Sequence, residues 1–364
     1  MACFQNITCT KKMKNKFETN KKQRIEWIDA AKAVAIICIV LGHAVNGNGI
    51  LWHIVYGFHI PLFIILGGLI FSVRVEKLQD FVIRKFKSIM IPYYFWGIIS
   101  IFIYLIMTTI IHEKDSLNIY QCFVGLIVGT AQNGKMHWNT PMWYLPMYFC
   151  MQSVSFVWVK CKQSNKTLLV YGISSFVFAW LIYFIKPDLY LPFGIASMIF
   201  LYPFFVFGVW IKKVDIFFEQ LSKVKRVFVA CALMVISGVG IIYQDNIDYV
   251  TNVYRSYPIF YFSAIGMSLG IIVIIKEIPK HSNLIKTIGL NTLGIMILQK
   301  FPLFFLIHVC PVIKNLYHTN ILVVSIISTC ITVLVCTAVC VYCTKYWPWM
   351  FGKKVYKEWN KGKR

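Results

Sequence analysis

The strongest constraint on this chain is a series of apolar runs long enough to cross a lipid bilayer. Hydrocarbon offers no partner for backbone N–H and C=O groups, so a run of about 20 apolar residues has one stable form there, the α-helix. Such runs fall near residues 30–50, 54–72, 89–111, 142–160, 167–185, 195–211, 227–243, 257–275, 288–308 and 321–343. The expected fold class is an all-α polytopic membrane protein of about ten transmembrane helices. A shorter apolar piece, Ile119 to Thr130, is too short to cross and is expected to re-enter or lie at the interface. Pro61, Pro92, Pro146, Pro203 and Pro302 fall inside or at the mouths of spans, where a missing backbone donor bends a helix. Composition agrees: 58% of the residues are hydrophobic and 14% charged, with mean hydropathy +0.66. An ordinary soluble domain is about a quarter charged.

The net charge of +23 does not point to nucleic acid, because the basic residues sit between apolar spans rather than on a soluble face. Ten spans place 30 Lys and Arg in the loops and tails on the side of the N-terminus and 5 on the other. Excess Lys and Arg marks loops retained in the cytoplasm, so both termini are expected there. The chain then divides into a basic cytoplasmic tail (1–28), a membrane domain (29–343) and a second basic tail (344–364). The first 27 residues have no apolar core before the long span, so the first span is expected to act as an uncleaved anchor. The 12 cysteines are scattered and mostly lie in apolar runs, which argues against a disulfide framework; Cys336, Cys340 and Cys343 read as packing, and no metal site is expected.

Within the first two spans the apolar run is interrupted at Asp29, Lys32, His43 and His59. An ionisable residue inside a membrane span is costly and marks function by default. Lys32 and His43 are eleven residues apart, three helical turns plus 20°, so they share one face about 16 Å apart; Asp29, three residues before Lys32, joins that side.

Further along, the residues resemble a known family. Asp29-Ala-Ala-Lys32, Val40-Leu41-Gly42-His43 and Phe58-His59-Ile60-Pro61-Leu62-Phe63 with Gly67-Gly68 resemble the membrane acyltransferase-3 family. Its members include O-acetylases of bacterial cell-surface polysaccharides, and this version looks like the fucose 4-O-acetylase-type branch. Ile91-Pro92-Tyr93, Pro141-Met142-Trp143-Tyr144-Leu145-Pro146, Pro203-Phe204-Phe205-Val206-Phe207-Gly208 and Ile288-Gly289-Leu290-Asn291-Thr292-Leu293 look like later landmarks in the family's order. The spacing of Lys32 and His43 matches the family's basic residue, ten residues, then histidine. Two departures stand out. Lys32 replaces the arginine of many relatives, which exchanges a bidentate fork for a point charge. A later histidine of relatives is Gln299 here, followed by Lys300, and no chemistry is assigned to that pair.

The resemblance implies an integral membrane O-acyltransferase of the cell membrane that moves an acetyl group from acetyl-CoA to a hydroxyl of a cell-surface or lipid-linked glycan. His43 is then the general base, since imidazole titrates near neutrality; its alternative is a buried histidine bonded between helices. Lys32 and Asp29 would assist the donor, or else be a snorkelling lysine and a helix-capping acid. Arg84, Lys85 and Lys87, in the amphipathic stretch Arg74 to Ser88, are candidates for the phosphates of coenzyme A, although charge retention and attraction to anionic lipid headgroups also account for them. His59, Trp143 and Tyr144 are candidates for holding the acceptor, against helix packing for His59 and an interfacial aromatic belt for the other two. His137 and His308 read as loop or interface residues. A competing class, a glycan or lipid-precursor transporter, would favour inverted repeats and broken helices around a midplane site.

Overall fold

A computed structural model of the chain describes residues 25–45, 47, 49–73, 76–110, 118–160, 164–186, 188–214 and 220–353. Most of both basic tails, and Arg74 at the start of the amphipathic stretch, lie outside the described residues. Among those residues the structure is helical and has no strand, only an isolated bridge between Asp248 and Val253. The helices are α1 (Glu26–Val45), α2 (Gly49–Ile70), α3 (Leu78–Lys85), α4 (Ile91–Ile110), α5 (Ile119–Val128), α6 (Tyr144–Lys160), α7 (Asn165–Ile185) and α8 (Ile195–Val214). There follow α9 (Lys223–Tyr243), α10 (Tyr257–Glu277), α11 (Asn283–Leu290), α12 (Thr292–Leu298), α13 (Lys300–Phe304), α14 (Pro311–Thr319) and α15 (Ile321–Tyr346).

Each of the ten expected spans holds helix, but not all are simple crossings. Eight are long and apolar enough to span a membrane: α1, α2, α3 joined to α4, α7, α8, α9, α10 and α15. A ninth, Thr292–Leu298 with Lys300–Val309, is bent by 41° at Gln299. The tenth, α6, has 17 residues, about 26 Å of helix against a hydrocarbon core of about 30 Å. It is reached through the 3-10 segment His137–Trp143, where Pro141 and the non-helical Asn139 break the α-helical register. Ile119 to Thr130 forms the ten-residue α5, capped by the Asn118 side chain and closed by the left-handed Gly129.

Between lipid-soluble helices, close backbone approach replaces the hydrophobic drive, and small residues permit it. At the crossing of α2 and α8 a Cβ on Gly68 would lie 2.1 Å from the Phe205 carbonyl oxygen, and one on Gly208 2.1 Å from that of Ile65. Helix α1 runs through the middle of the bundle against α2, α11 and α15. Ala31, Ala33 and Ala35, which point to opposite sides of it, are all fully buried. Where α11 meets it, a Cβ on Gly289 would lie 1.9 Å from the Asp29 carbonyl oxygen.

The two ends of the bundle differ in charge. At the α1 start, Lys286 pairs with Glu26 at 2.7 Å, Arg226 with Glu277 at 2.6 Å, and Lys276 lies 5.3 Å over the Trp27 ring. The other end carries long loops, one of which, Gln244 to Ser256, is held by its own side chains. Both Asp248 carboxylate oxygens accept bonds within it, from the Val250 amide (2.7 Å) and the Thr251 hydroxyl (2.7 Å), in an Asx-type turn.

Gly68→Val is expected to destabilise the bundle by about 1–3 kcal/mol or more through overpacking. Gly172→Ala, whose new Cβ would meet only Val206 at 3.6 Å, is the neutral control. Thermal stability of the detergent-solubilised protein, read by size-exclusion chromatography after heating, distinguishes the two.

Candidate active site

The C-terminal turn of α1 carries His43, and its position is fixed from outside the helix. The Ala44 carbonyl, which lies beyond the last intrahelical donor, accepts from the Tyr317 hydroxyl (3.0 Å) and the Ser325 hydroxyl (3.1 Å). Gly42 lets the Tyr56 ring approach, since a Cβ there would lie 2.8 Å from its Cε2. The His43 ring meets Tyr56 edge to face with centroids 6.2 Å apart. Among the described residues, no hydrogen bond engages its ring nitrogens.

His43 stands at the junction of two cavities. The first, about 420 Å³, is also lined by Trp52, Tyr56, His59, His137, Trp143, Tyr144 and the loop residues Asn246 to Thr251. The second, about 250 Å³, is lined by His43, Gln299, Lys300, Leu303, His308 and Tyr317. Thr140 and Pro141, like His43, face both. Both cavities lie at the end of the bundle opposite the α1 start.

His59 is buried on α2, and its Nδ1 lies 2.7 Å from the Val55 carbonyl. A carbonyl only accepts, so Nδ1 carries the hydrogen and donates it to Val55. Tyr56 and Tyr249 pack edge to face on that ring, at 4.9 Å and 5.7 Å. The Tyr249 hydroxyl donates to the Tyr56 carbonyl, which pins the 244–256 loop against α2. Burial pushes the Tyr249 phenol well above its ordinary pKa, and the neighbouring Tyr254 and Tyr56 add to the shift, so this donor keeps its proton. Trp143 and Tyr144, both buried, meet edge to face at 6.2 Å, and Tyr144 stacks on Tyr148 at 5.3 Å.

The structure therefore gathers four of the expected site residues, His43, His59, Trp143 and Tyr144, around one cavity. It holds the others elsewhere. Asp29 and Lys32 lie at the far end of the unbroken α1, with Lys32 Nζ 3.7 Å from the Asp29 carboxylate. Asp29 is buried against α11 one turn inside the helix rather than at its cap. Arg84, Lys85 and Lys87 follow in α3 and the π-helical turn after it. The Arg84 guanidinium binds Glu76 through Nη2 (2.5 Å) and Nε (3.3 Å), and Arg84 and Lys85 lie 5.0 Å and 5.4 Å over the buried Phe81 ring. Helix α6 measures the separation: Tyr144 is at its cavity end, and Lys160, about 24 Å along the axis, reaches the Glu76 carbonyl.

Two histidines read as loop or interface residues also line the cavities: His137 the first and His308 the second. Lys300 and Gln299, given no chemistry, form the wall of the second cavity at the break of the bent span. The Lys300 ammonium donates to the His137 carbonyl and lies 5.0 Å over the Tyr104 ring. The buried Gln299 donates to the Met296 carbonyl at 3.3 Å, and its Oε1 has no partner among the described residues. The charge of Lys300 at a break in an apolar run was the available signal. Tyr249 and His137 gave none, because both lie in polar loops.

A bundle of apolar helices long enough to cross a membrane, with an imidazole set between two cavities, defines a multi-pass membrane protein. The acyltransferase domain of the acyltransferase 3 family matches residues 25–344, and the chain belongs to that family. It is thus a membrane acyltransferase, not the transporter that the broken span alone would have allowed. No curated protein and no solved structure matches the chain.

The cavities and the α11 start lie at opposite ends of the bundle. In sealed vesicles, a membrane-impermeant thiol reagent is expected to label Asn133→Cys and Asn283→Cys from opposite faces, each measured above the labelling of the native cysteines. Labelling of both from one face would contradict the arrangement.

Proposed function

We propose that the protein is an O-acyltransferase that moves an acetyl group from acetyl-CoA to a hydroxyl of a cell-surface or lipid-linked glycan, with His43 as general base. The supporting observation is the His43 ring itself: unengaged by hydrogen bonds among the described residues, and lining two cavities at once. The aromatic and polar first cavity suits a sugar; the narrower second suits an acyl thioester.

In this reading the hydroxyl oxygen of the sugar attacks the thioester carbonyl while a His43 nitrogen takes its proton. The C–O bond forms, the carbonyl electrons move onto oxygen, and the Lys300 ammonium in the wall of the second cavity offsets that charge. Collapse breaks the C–S bond, and the coenzyme A thiolate takes the proton from His43. The products are the acetyl ester and free thiol, and the imidazole returns to its starting state. His59, oriented by Val55, Trp143 and Tyr144 hold the acceptor.

The donor enters from the cytoplasmic end. Lys32, with Asp29 fixing it, and the patch of Arg84, Lys85 and Lys87 meet the coenzyme A phosphates there. Arg84 must share its charge with Glu76, so Lys85 and the exposed Lys87 carry more of that contact. Both orientations follow from the 30 to 5 split of loop charge.

In membranes supplied with labelled acetyl-CoA and a glycan acceptor, His43→Ala is expected to lose about 10²–10⁴-fold of the transfer rate at unchanged protein level. Full activity in that variant would end the base assignment. Lys32→Arg is expected to retain donor binding and Lys32→Met to raise the KM for acetyl-CoA, read from initial rates at varied donor concentration.

A further inference from the structure

A further cavity of about 630 Å³ opens beside the first, at the same end of the bundle. Asn133 and Thr251 line both, so the two are contiguous. The volume lies within the range of small-molecule sites, about 300–1,000 Å³. Its wall holds buried polar groups that the fold leaves unsatisfied. Asn252 is 1% exposed, yet neither its Oδ1 nor its Nδ2 has a hydrogen-bond partner among the described residues. The same holds for Gln132 Oε1 and the Tyr254 hydroxyl, on residues 7% and 4% exposed. A buried polar atom without a partner costs about 1–3 kcal/mol, so four on three neighbouring cavity residues need an explanation.

The backbone adds a second sign. Asn252 and Asn133 have φ of +60° and +56°, a left-handed conformation that costs a non-glycine residue energy and recurs at ligand sites. The loop bearing Asn252 is held in that shape by the Asp248 turn and the bridge to Val253. Across the cavity stand the exposed Tyr190 ring, 4.8 Å from the Lys135 ammonium, and the exposed Asp188. An amide offering both donor and acceptor, a phenol, a carboxylate and an exposed aromatic ring, whose hydroxyl accepts from the Lys135 ammonium at 2.7 Å, match a molecule that is polar at its edges and apolar on its faces. That description fits a pyranose ring.

We infer that this cavity is a second sugar subsite, so that the acceptor is an oligosaccharide or polymer engaged by at least two residues, one at His43 and the next at Asn252. The inference rests on the glycan acceptor proposed above. The chain of sugars runs from the His43 cavity past Asn133 and Thr251, and Asn252 then pairs with ring hydroxyls that replace its missing partners.

The test uses the surface polysaccharide of cells that carry the protein, freed of ester groups by mild base, partly hydrolysed and sized into monosaccharide, disaccharide and tetrasaccharide fractions. Binding of each fraction to the purified full chain in detergent is measured by calorimetry. Acetyl transfer from labelled acetyl-CoA is measured in parallel. Wild type is expected to bind the disaccharide about tenfold or more tighter than the monosaccharide, the gain that one or two buried hydrogen bonds supply. In Asn252→Gly, which keeps the left-handed backbone without strain, and in the surface variant Tyr190→Ala, that ratio is expected to fall to within about twofold. An equal affinity of wild type for both fractions, a ratio untouched by either variant, or no binding at all overturns the subsite. Binding that depends on Asn252 without acetyl transfer leaves the subsite standing and overturns the acceptor reading instead.

Discussion

Hydrocarbon supplies no hydrogen bonds, and the arrangement of this protein follows from where that lack is met and where it is left open. The Ala44 carbonyl at the end of α1 shows the first case: two hydroxyls from α14 and α15 converge on it. That costs two long-range contacts and fixes the helix turn that carries His43. The His43 ring shows the second case. It is set among Tyr56, Thr140 and Pro141 without a bond of its own among the described residues, which is the observation that the proposed base assignment draws on.

The same constraint explains why the cavities sit where helices break. Gln299 divides the ninth span at 41°, Pro141 and Asn139 interrupt the approach to α6, and α6 is too short for a comfortable crossing. Irregular backbone within a membrane is tolerated where it lines a cavity. Thr140, Lys300 and His137, which stand at or beside these breaks, bring polarity to the cavities around His43. Glycine contacts between α2 and α8, and between α1 and α11, hold the surrounding helices close enough that such breaks do not open the bundle.

Much of the fold was legible because a span announces itself locally: twenty apolar residues exceed what any loop needs. All ten expected spans contain helix, and the amphipathic stretch after α2 became α3. Span quality was less legible. The bend at Gln299 was marked by Pro302, which cannot donate to the Leu298 carbonyl, whereas the shortness of α6, whose approach is broken at Asn139 and Pro141, was not marked. In the site, His43 and His59 stood out because an imidazole in an apolar run has a cost that function must justify. Trp143 and Tyr144, which line the first cavity, were singled out through family landmarks, since aromatic residues alone do not separate a sugar platform from an interfacial belt. Tyr249, Asp248 and Asn252 were invisible: nearly 200 residues separate them from α2, and polar residues in a polar loop carry no local signal. Lys300 does carry a local signal, a charge beside a span break, which the departure from relatives at Gln299 obscures.

The account turns on the claim that acyl transfer takes place at His43, between the two cavities. Its most direct measurement is a structure of the protein with a stable thioether analogue of acetyl-CoA. The account predicts that the carbonyl of the analogue lies in the cavity of Gln299 and Lys300, within hydrogen-bond or near-attack reach of the His43 ring, about 3–3.5 Å. The nucleotide is predicted at the basic end beyond Lys32. An analogue whose carbonyl lies away from His43, with the second cavity empty, would contradict it.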